Sequence, residues 1–142
     1  MKWKTMISVV LIIMAISLMF THRATAQPEK PGKEKFVMIW SSADRDVAVN
    51  MVLLYTYNSK RAKWWDDITL VVWGPSANLL AEDKTLQVLV KNIINAGVVV
   101  KACKLCSDSY GVSEKLEELG IIVKYMKELT DYIKEGRHIL TF

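Results

Sequence analysis

The sequence predicts an α/β fold built on a parallel sheet, and two observations carry that prediction. Apolar, β-branched runs recur along the chain, FVMIW at residues 36–40, ITLVVW at 68–73 and VVVKA at 98–102. Continuous apolar runs of this length suit strands buried on both faces. Between them the apolar residues change to helical spacing, and strands that alternate with helices imply right-handed βαβ units and a sheet covered on both sides.

The first 26 residues stand outside that fold. Lys2 and Lys4 precede an apolar run at residues 6–20 and a polar stretch that ends in Ala24, Thr25 and Ala26. A charged start, an apolar middle and an A-x-A site describe an export signal. Cleavage is expected after Ala26, leaving a mature chain that is periplasmic or secreted in a bacterial cell and free of the membrane. The apolar run is shorter than the ~20 residues a spanning helix needs. Residues 27–34, QPEKPGKE, combine prolines, a glycine and alternating charge, and read as a flexible leader. Residues 35–142 make one domain of ordinary size. Loss of the signal removes Lys2, Lys4 and Arg23 with no acid, so the mature chain is close to neutral and nucleic-acid binding loses its electrostatic support.

Within the domain, residues 35–40 form the first strand. Asp44 suits the N-cap of a helix over residues 47–57, with Val47, Met51, Leu54 and Tyr55 at the helical spacing of a buried face. Trp64 and Trp65 follow a cationic stretch. Adjacent tryptophans cannot both face inward on one short element, so one is expected to be exposed, as a rim over the sheet edge or a subunit contact. Residues 68–73 form the second strand, closed by a tight turn at Gly74, Pro75 and Ser76. Helical spacing then runs from Leu79 to Ile94, with Glu82, Asp83 and Lys84 marking a break or an outer face and Gly97 the stop. Residues 98–102 are the third strand, 112–119 a short amphipathic helix closed by Gly120, and 121–124 the fourth strand. A last helix at 129–135 stops at Gly136, and residues 138–142 make the fifth strand.

The chemistry concentrates where the third strand ends. Cys103 and Cys106, the only two cysteines, lie just beyond it, followed by a polar turn and Gly111. Open α/β sheets place ligands past the carboxyl ends of their strands. The pair admits three readings. One is a reactive thiolate, since a helix amino end lowers a thiol pKa and favours persulfide or disulfide exchange. Another is an inert local disulfide, natural in an oxidising compartment. The third is a metal site, but zinc wants four Cys or His ligands, and the mature chain offers these two and His138. No metal is therefore assigned. A parallel sheet brings Ser41, Ser42, Gly74 and Pro75 to the same rim as Cys103, and with Tyr110 and Gly111 they are the candidate substrate-binding residues. No Gly-rich phosphate loop of the P-loop or dinucleotide type is present, and no cofactor is expected.

Three stretches, WGPSANLLAEDKTLQ, INAGVVVKACKLCSDSYGV and the tail from LGIIVKYMKELTDYI to ILTF, resemble the DsrE/DsrF-like proteins, which are related to the sulfur-relay subunits of bacteria. The resemblance covers residues 35–142. It implies a three-layer α/β/α fold with a mainly parallel five-stranded sheet, and assembly into homo-trimers or hexamers. It also implies, for some members, a cysteine after the third strand that carries a persulfide sulfur, eight residues before a glycine that opens the next helix. Cys103 stands eight residues before Gly111, so that role maps onto Cys103. An export signal and a second cysteine at 106 depart from the cytoplasmic relay proteins, so the sulfur donor and acceptor, whether proteins or small thiols, would differ.

Two functions follow from different classes. One is a sulfur carrier with sulfurtransferase-like character, holding sulfane sulfur as a persulfide on Cys103 and passing it to a partner, with Cys106 able to resolve it. In that reading the rim is expected to lower the Cys103 pKa and make Cys103 the first to react. The alternative is a non-catalytic, oligomeric ligand-binding or assembly module whose cysteines are structural.

Overall fold

The computed structural model describes residues 33–142. The expected export signal and the leader up to residue 32 lie outside the described residues. Five strands form one sheet: β1 (Lys35–Trp40), β2 (Asp67–Val72), β3 (Val99–Cys103), β4 (Ile122–Lys124) and β5 (His138–Thr141). Their order is β4-β3-β2-β1-β5, and every neighbouring pair is parallel. Among the described residues no helix is long and apolar enough to cross a membrane.

The path of the chain decides which face each helix covers. From β1 to β4 the chain steps across the sheet in one direction, and right-handed crossovers put the intervening helices on one face. Those are α1 (residues 45–61), α2 (Pro75–Glu82), α3 (Lys84–Asn95), α4 (Lys104–Ser109) and α5 (Ser113–Glu118). The step from β4 to β5 returns over the whole sheet, so α6 (Lys127–Lys134) falls on the other side. The main core accordingly packs Met38, Trp40, Leu70 and Val100 against Val52, Leu80, Val90 and Leu116. A smaller one joins Val37, Ile39 and Val71 to Tyr132 of α6.

Helix α1 departs from the sequence expectation. Asp44 caps it as foreseen, its carboxylate accepting from the amides of Asp46 and Val47 at 2.8 and 3.0 Å. The buried residues, however, are Ala48, Val52, Leu53, Thr56 and Ser59, whereas Met51 and Leu54 are exposed. The cause is a π-helical stretch, Ala48–Leu53, between α-helical Arg45–Val47 and Leu54–Arg61. A π-turn holds one residue more than an α-turn, so Val52 and Leu53 both reach the core and the phase of a continuous helix is lost. The tryptophans divide as expected. Trp64 is exposed, and Trp65 stacks on Phe36 with ring centroids 5.0 Å apart.

Gly74 and Pro75 do not form a turn standing apart from the next helix. Gly74 is the N-cap of α2 at φ 67, a left-handed conformation open to glycine, and Pro75 is the first helical residue. The break expected at Glu82 to Lys84 is a junction between two helices. Asp83 caps α3 by accepting from the amides of Thr85 and Leu86. Buried Gln87 donates through Nε2 to the carbonyls of Leu80 and Ala81, at 3.0 and 2.8 Å, which the end of α2 leaves free.

The second face of the sheet carries charge. Lys101 of β3 donates to Glu128 Oε2 at 2.5 Å and to the Tyr132 hydroxyl at 2.7 Å, and Lys124 of β4 donates to the other Glu128 oxygen. Arg137 lies over the Tyr132 ring, 4.4 Å from its centroid, and pairs with Asp67 at 2.8 Å. Burial would raise the Glu128 carboxyl, but the hydrogen bonds and charges of Lys101 and Lys124 outweigh it and bring the pKa down to about 2.

Two outcomes follow. Gln87→Ala leaves two buried carbonyls without donors and lowers stability by about 2 kcal/mol, read from urea unfolding. Glu128 is depressed on folding, so its contribution is full above the unfolded carboxylate range and disappears as pH falls towards about 2. The stability gap between wild type and Glu128→Gln is therefore open at pH 6 and closes on acidification. A gap that stayed constant with pH would contradict the ion-pair assignment.

Candidate functional site

Cys103 is the last residue of β3, not a residue beyond it, because pairing with β4 extends the strand to a Cys103↔Lys124 register. Cys103 is at once the N-cap of α4, so the expected polar turn is a six-residue helix, Lys104–Ser109. Short polar side chains hold this helix locally. Ser107 Oγ donates to the Cys103 carbonyl at 2.9 Å, Ser109 Oγ donates to the Cys106 carbonyl at 2.7 Å, and Lys104 pairs with Asp108 four residues on. Tyr110 follows as C-cap and Gly111 takes φ 68. The Gly111 amide donates to the Asp108 carbonyl and the Val112 amide to that of Ser107, which closes α4 in a Schellman motif.

A strand that passes straight into a helix leaves the two thiols one turn apart on the same side. Both are free, and the Cys106 thiol faces Cys103 Sγ at 2.9 Å. Their surroundings differ. Cys103 is 5% exposed, while Cys106 is half-buried. Burial pushes the Cys103 thiol up, the adjoining Cys106 thiol adds to this, and the amides of Cys106 and Leu105 pull only partly back. The expectation of a lowered Cys103 pKa is thus corrected: desolvation of the thiolate outweighs the amino end of a six-residue helix.

The other expected site residues are brought together only in part. Gly74 and Pro75 lie past β2, the strand next to β3, and flank the dithiol rim. Ser41 and Ser42 lie past β1, on the far side of β2. The Ser41 amide and Oγ donate to the Phe142 carbonyl at the end of β5, at 2.6 and 2.8 Å, and the Ser42 amide donates to the same oxygen, while Ser42 Oγ accepts from the Asp44 amide. That is the place where the chain's crossovers reverse, β1 leading one way and β5 arriving from the other, where a doubly wound sheet opens its crevice. Here the Ser41 and Ser42 amides bridge to the end of β5, and the thiols stand away from that place, at the end of β3. Tyr110 is exposed and Gly111 terminates α4, so both sit at the far end of that helix from Cys103.

Ser107, Lys101 and Lys124 were missed in the sequence. Alternation along β3 sends Val100 and Ala102 into the main core and puts Lys101 on the face of Cys103, with Lys124 paired beside it in register. A lysine inside the apolar run VVVKAC was the available signal for Lys101. Among the described residues no group of three or more His, Cys, Asp or Glu side chains is placed to hold a metal ion.

The sequence matches the DsrE/DsrF-like family over residues 14–142. A search of curated proteins finds no match. Among solved structures, the chain is similar to the conserved protein of unknown function BT1422 from Bacteroides thetaiotaomicron, at 34% identity and a TM-score of 0.74, over 77% of this chain and 95% of that one. It also shares its fold with the ychN protein from E. coli, at 20% identity and a TM-score of 0.63, over 77% of this chain and 99% of that one. The parallel five-stranded sheet, the extent of the match and the likeness to BT1422 agree, and the chain belongs to the DsrE/DsrF-like family.

Proposed function

We propose that this protein is an exported sulfur carrier that holds sulfane sulfur as a persulfide on Cys103 and passes it between a donor and an acceptor, each a protein or a small thiol. The observation that carries the reading is the pair of free thiols 2.9 Å apart at the carboxyl end of β3. Thiols at that separation exchange a sulfur without a large rearrangement. By the resemblance to the relay members of the family, the eight-residue spacing from Cys103 to Gly111 supports assigning the persulfide to Cys103, although Gly111 here closes α4 and the next helix starts at Ser113. Assembly into three or six copies belongs to the same proposal. It is supported by exposed Trp64, Met51 and Leu54, which with Leu140 and Phe142 line an apolar groove beside β5.

The burial of Cys103 favours a second reading, an oligomeric ligand-binding or assembly module in which the thiols are structural, because buried cysteines are commonly inert. One experiment separates the two. Native mass spectrometry after exposure to inorganic polysulfide should show a closed assembly gaining one sulfur per chain, located on Cys103 by peptide analysis and lost from that position in Cys103→Ser. A protein that gains no sulfur is the structural module, and one that runs as a single chain refutes the assembly.

A further inference from the structure

The dithiol is asymmetric, and its asymmetry opposes the simplest order of reaction. A donor arriving from solvent meets Cys106, which is half-buried, before Cys103, which is 5% exposed. Resting on the sulfur-carrier reading above, we infer that Cys106 is the first acceptor of sulfur and Cys103 the store behind it, so that sulfur enters and leaves by way of Cys106.

The chemistry balances without an oxidant. The Cys106 thiolate attacks the outer sulfur of a donor persulfide, R–S–SH. The donor S–S bond breaks, the thiolate R–S⁻ leaves and Cys106 carries –S–SH. Cys103 then attacks that outer sulfur. A new S–S bond forms on Cys103 as the one on Cys106 breaks, and the proton given up by Cys103 passes to the Cys106 thiolate. Release to an acceptor is the same sequence in reverse. The two Sγ atoms are 2.9 Å apart, so a sulfur carried on Cys106 stays within reach of Cys103, and the second step is intramolecular once the two side chains turn to bring Cys103 in line with that outer sulfur.

The direction of transfer has a physical basis too. A more basic thiolate is the poorer leaving group and the stronger nucleophile. Burial raises the basicity of Cys103, so sulfur that reaches it tends to stay. The same burial keeps solvent thiols from stripping it. Ser107 holds the Cys103 carbonyl and fixes the junction of strand and helix, which keeps the two sulfurs in register during the exchange.

Two measurements on the full-length mature protein test the route. Lys104 lies between the cysteines, so tryptic peptides report them separately. A short iodoacetamide pulse on the reduced protein should label Cys106 about ten-fold faster than Cys103. With glutathione persulfide as donor, Cys106→Ser and Cys106→Ala should both slow loading of Cys103 by about ten-fold, with an unchanged circular dichroism spectrum. Loading of either variant at the wild-type rate, or equal or faster labelling of Cys103, overturns the route and leaves the carrier standing. Sulfur on neither cysteine of the wild type removes the carrier reading, and with it the transfer.

Discussion

The pairing of β3 between β2 and β4 is the constraint on which the site depends. Parallel β2 holds the strand in register as far as Ala102, against Val72, and parallel β4 carries the pairing to the last residue, Cys103 against Lys124. Chain leaving a strand fixed in this way has one direction available, and α4 begins at once. If β3 ended a residue earlier, Cys103 would belong to a loop and the two thiols would have no common frame. The sheet therefore acts on the chemistry by fixing where β3 ends, at Cys103, and α4 begins, and the Ser107 hydroxyl on the Cys103 carbonyl completes the spacing of the two sulfur atoms.

Alternation along the same strand then separates two environments. Val100 and Ala102 complete the main core beneath α2 and α3, while Lys101 joins Glu128 and Tyr132 on the other face. Cys103, at the end of this series, is buried deeply enough to resist ionisation, and Cys106, on the first turn of α4, faces it while staying half-buried. A buried thiol beside a more accessible one is a reasonable arrangement for a group that must be both kept and exchanged. Neither cysteine alone has both properties.

Strands buried between helices were legible because a continuous apolar run such as ITLVVW has few other places to go. The five strands, their alternation with helices and the division of Trp64 from Trp65 can all be read from the residues. Phase within α1 could not, since Ala48–Leu53 adopts a wider turn that the apolar spacing around Met51 and Leu54 does not announce. Helix α4 was hidden by its own composition: Ser107, Asp108 and Ser109 suit a turn, and they are held in a helix by side-chain bonds, of Ser107 to the carbonyl of Cys103, of Ser109 to that of Cys106 and of Asp108 to Lys104. The positions of the cysteines were legible, but the burial that raises the Cys103 thiol was not. Exposure depends on packing from elements far away in sequence, and it outweighs the helix end that the local spacing suggests.

The claim at the centre of this account is that the buried thiol at the end of β3 is where sulfur rests. A crystal structure of the protein after exposure to a sulfane-sulfur donor tests it directly. The account predicts density for one additional sulfur on Cys103 Sγ, with Cys106 Sγ unmodified beside it. An additional sulfur on Cys106 alone, or two unmodified thiols after a donor treatment that loads an exposed control thiol, would contradict it.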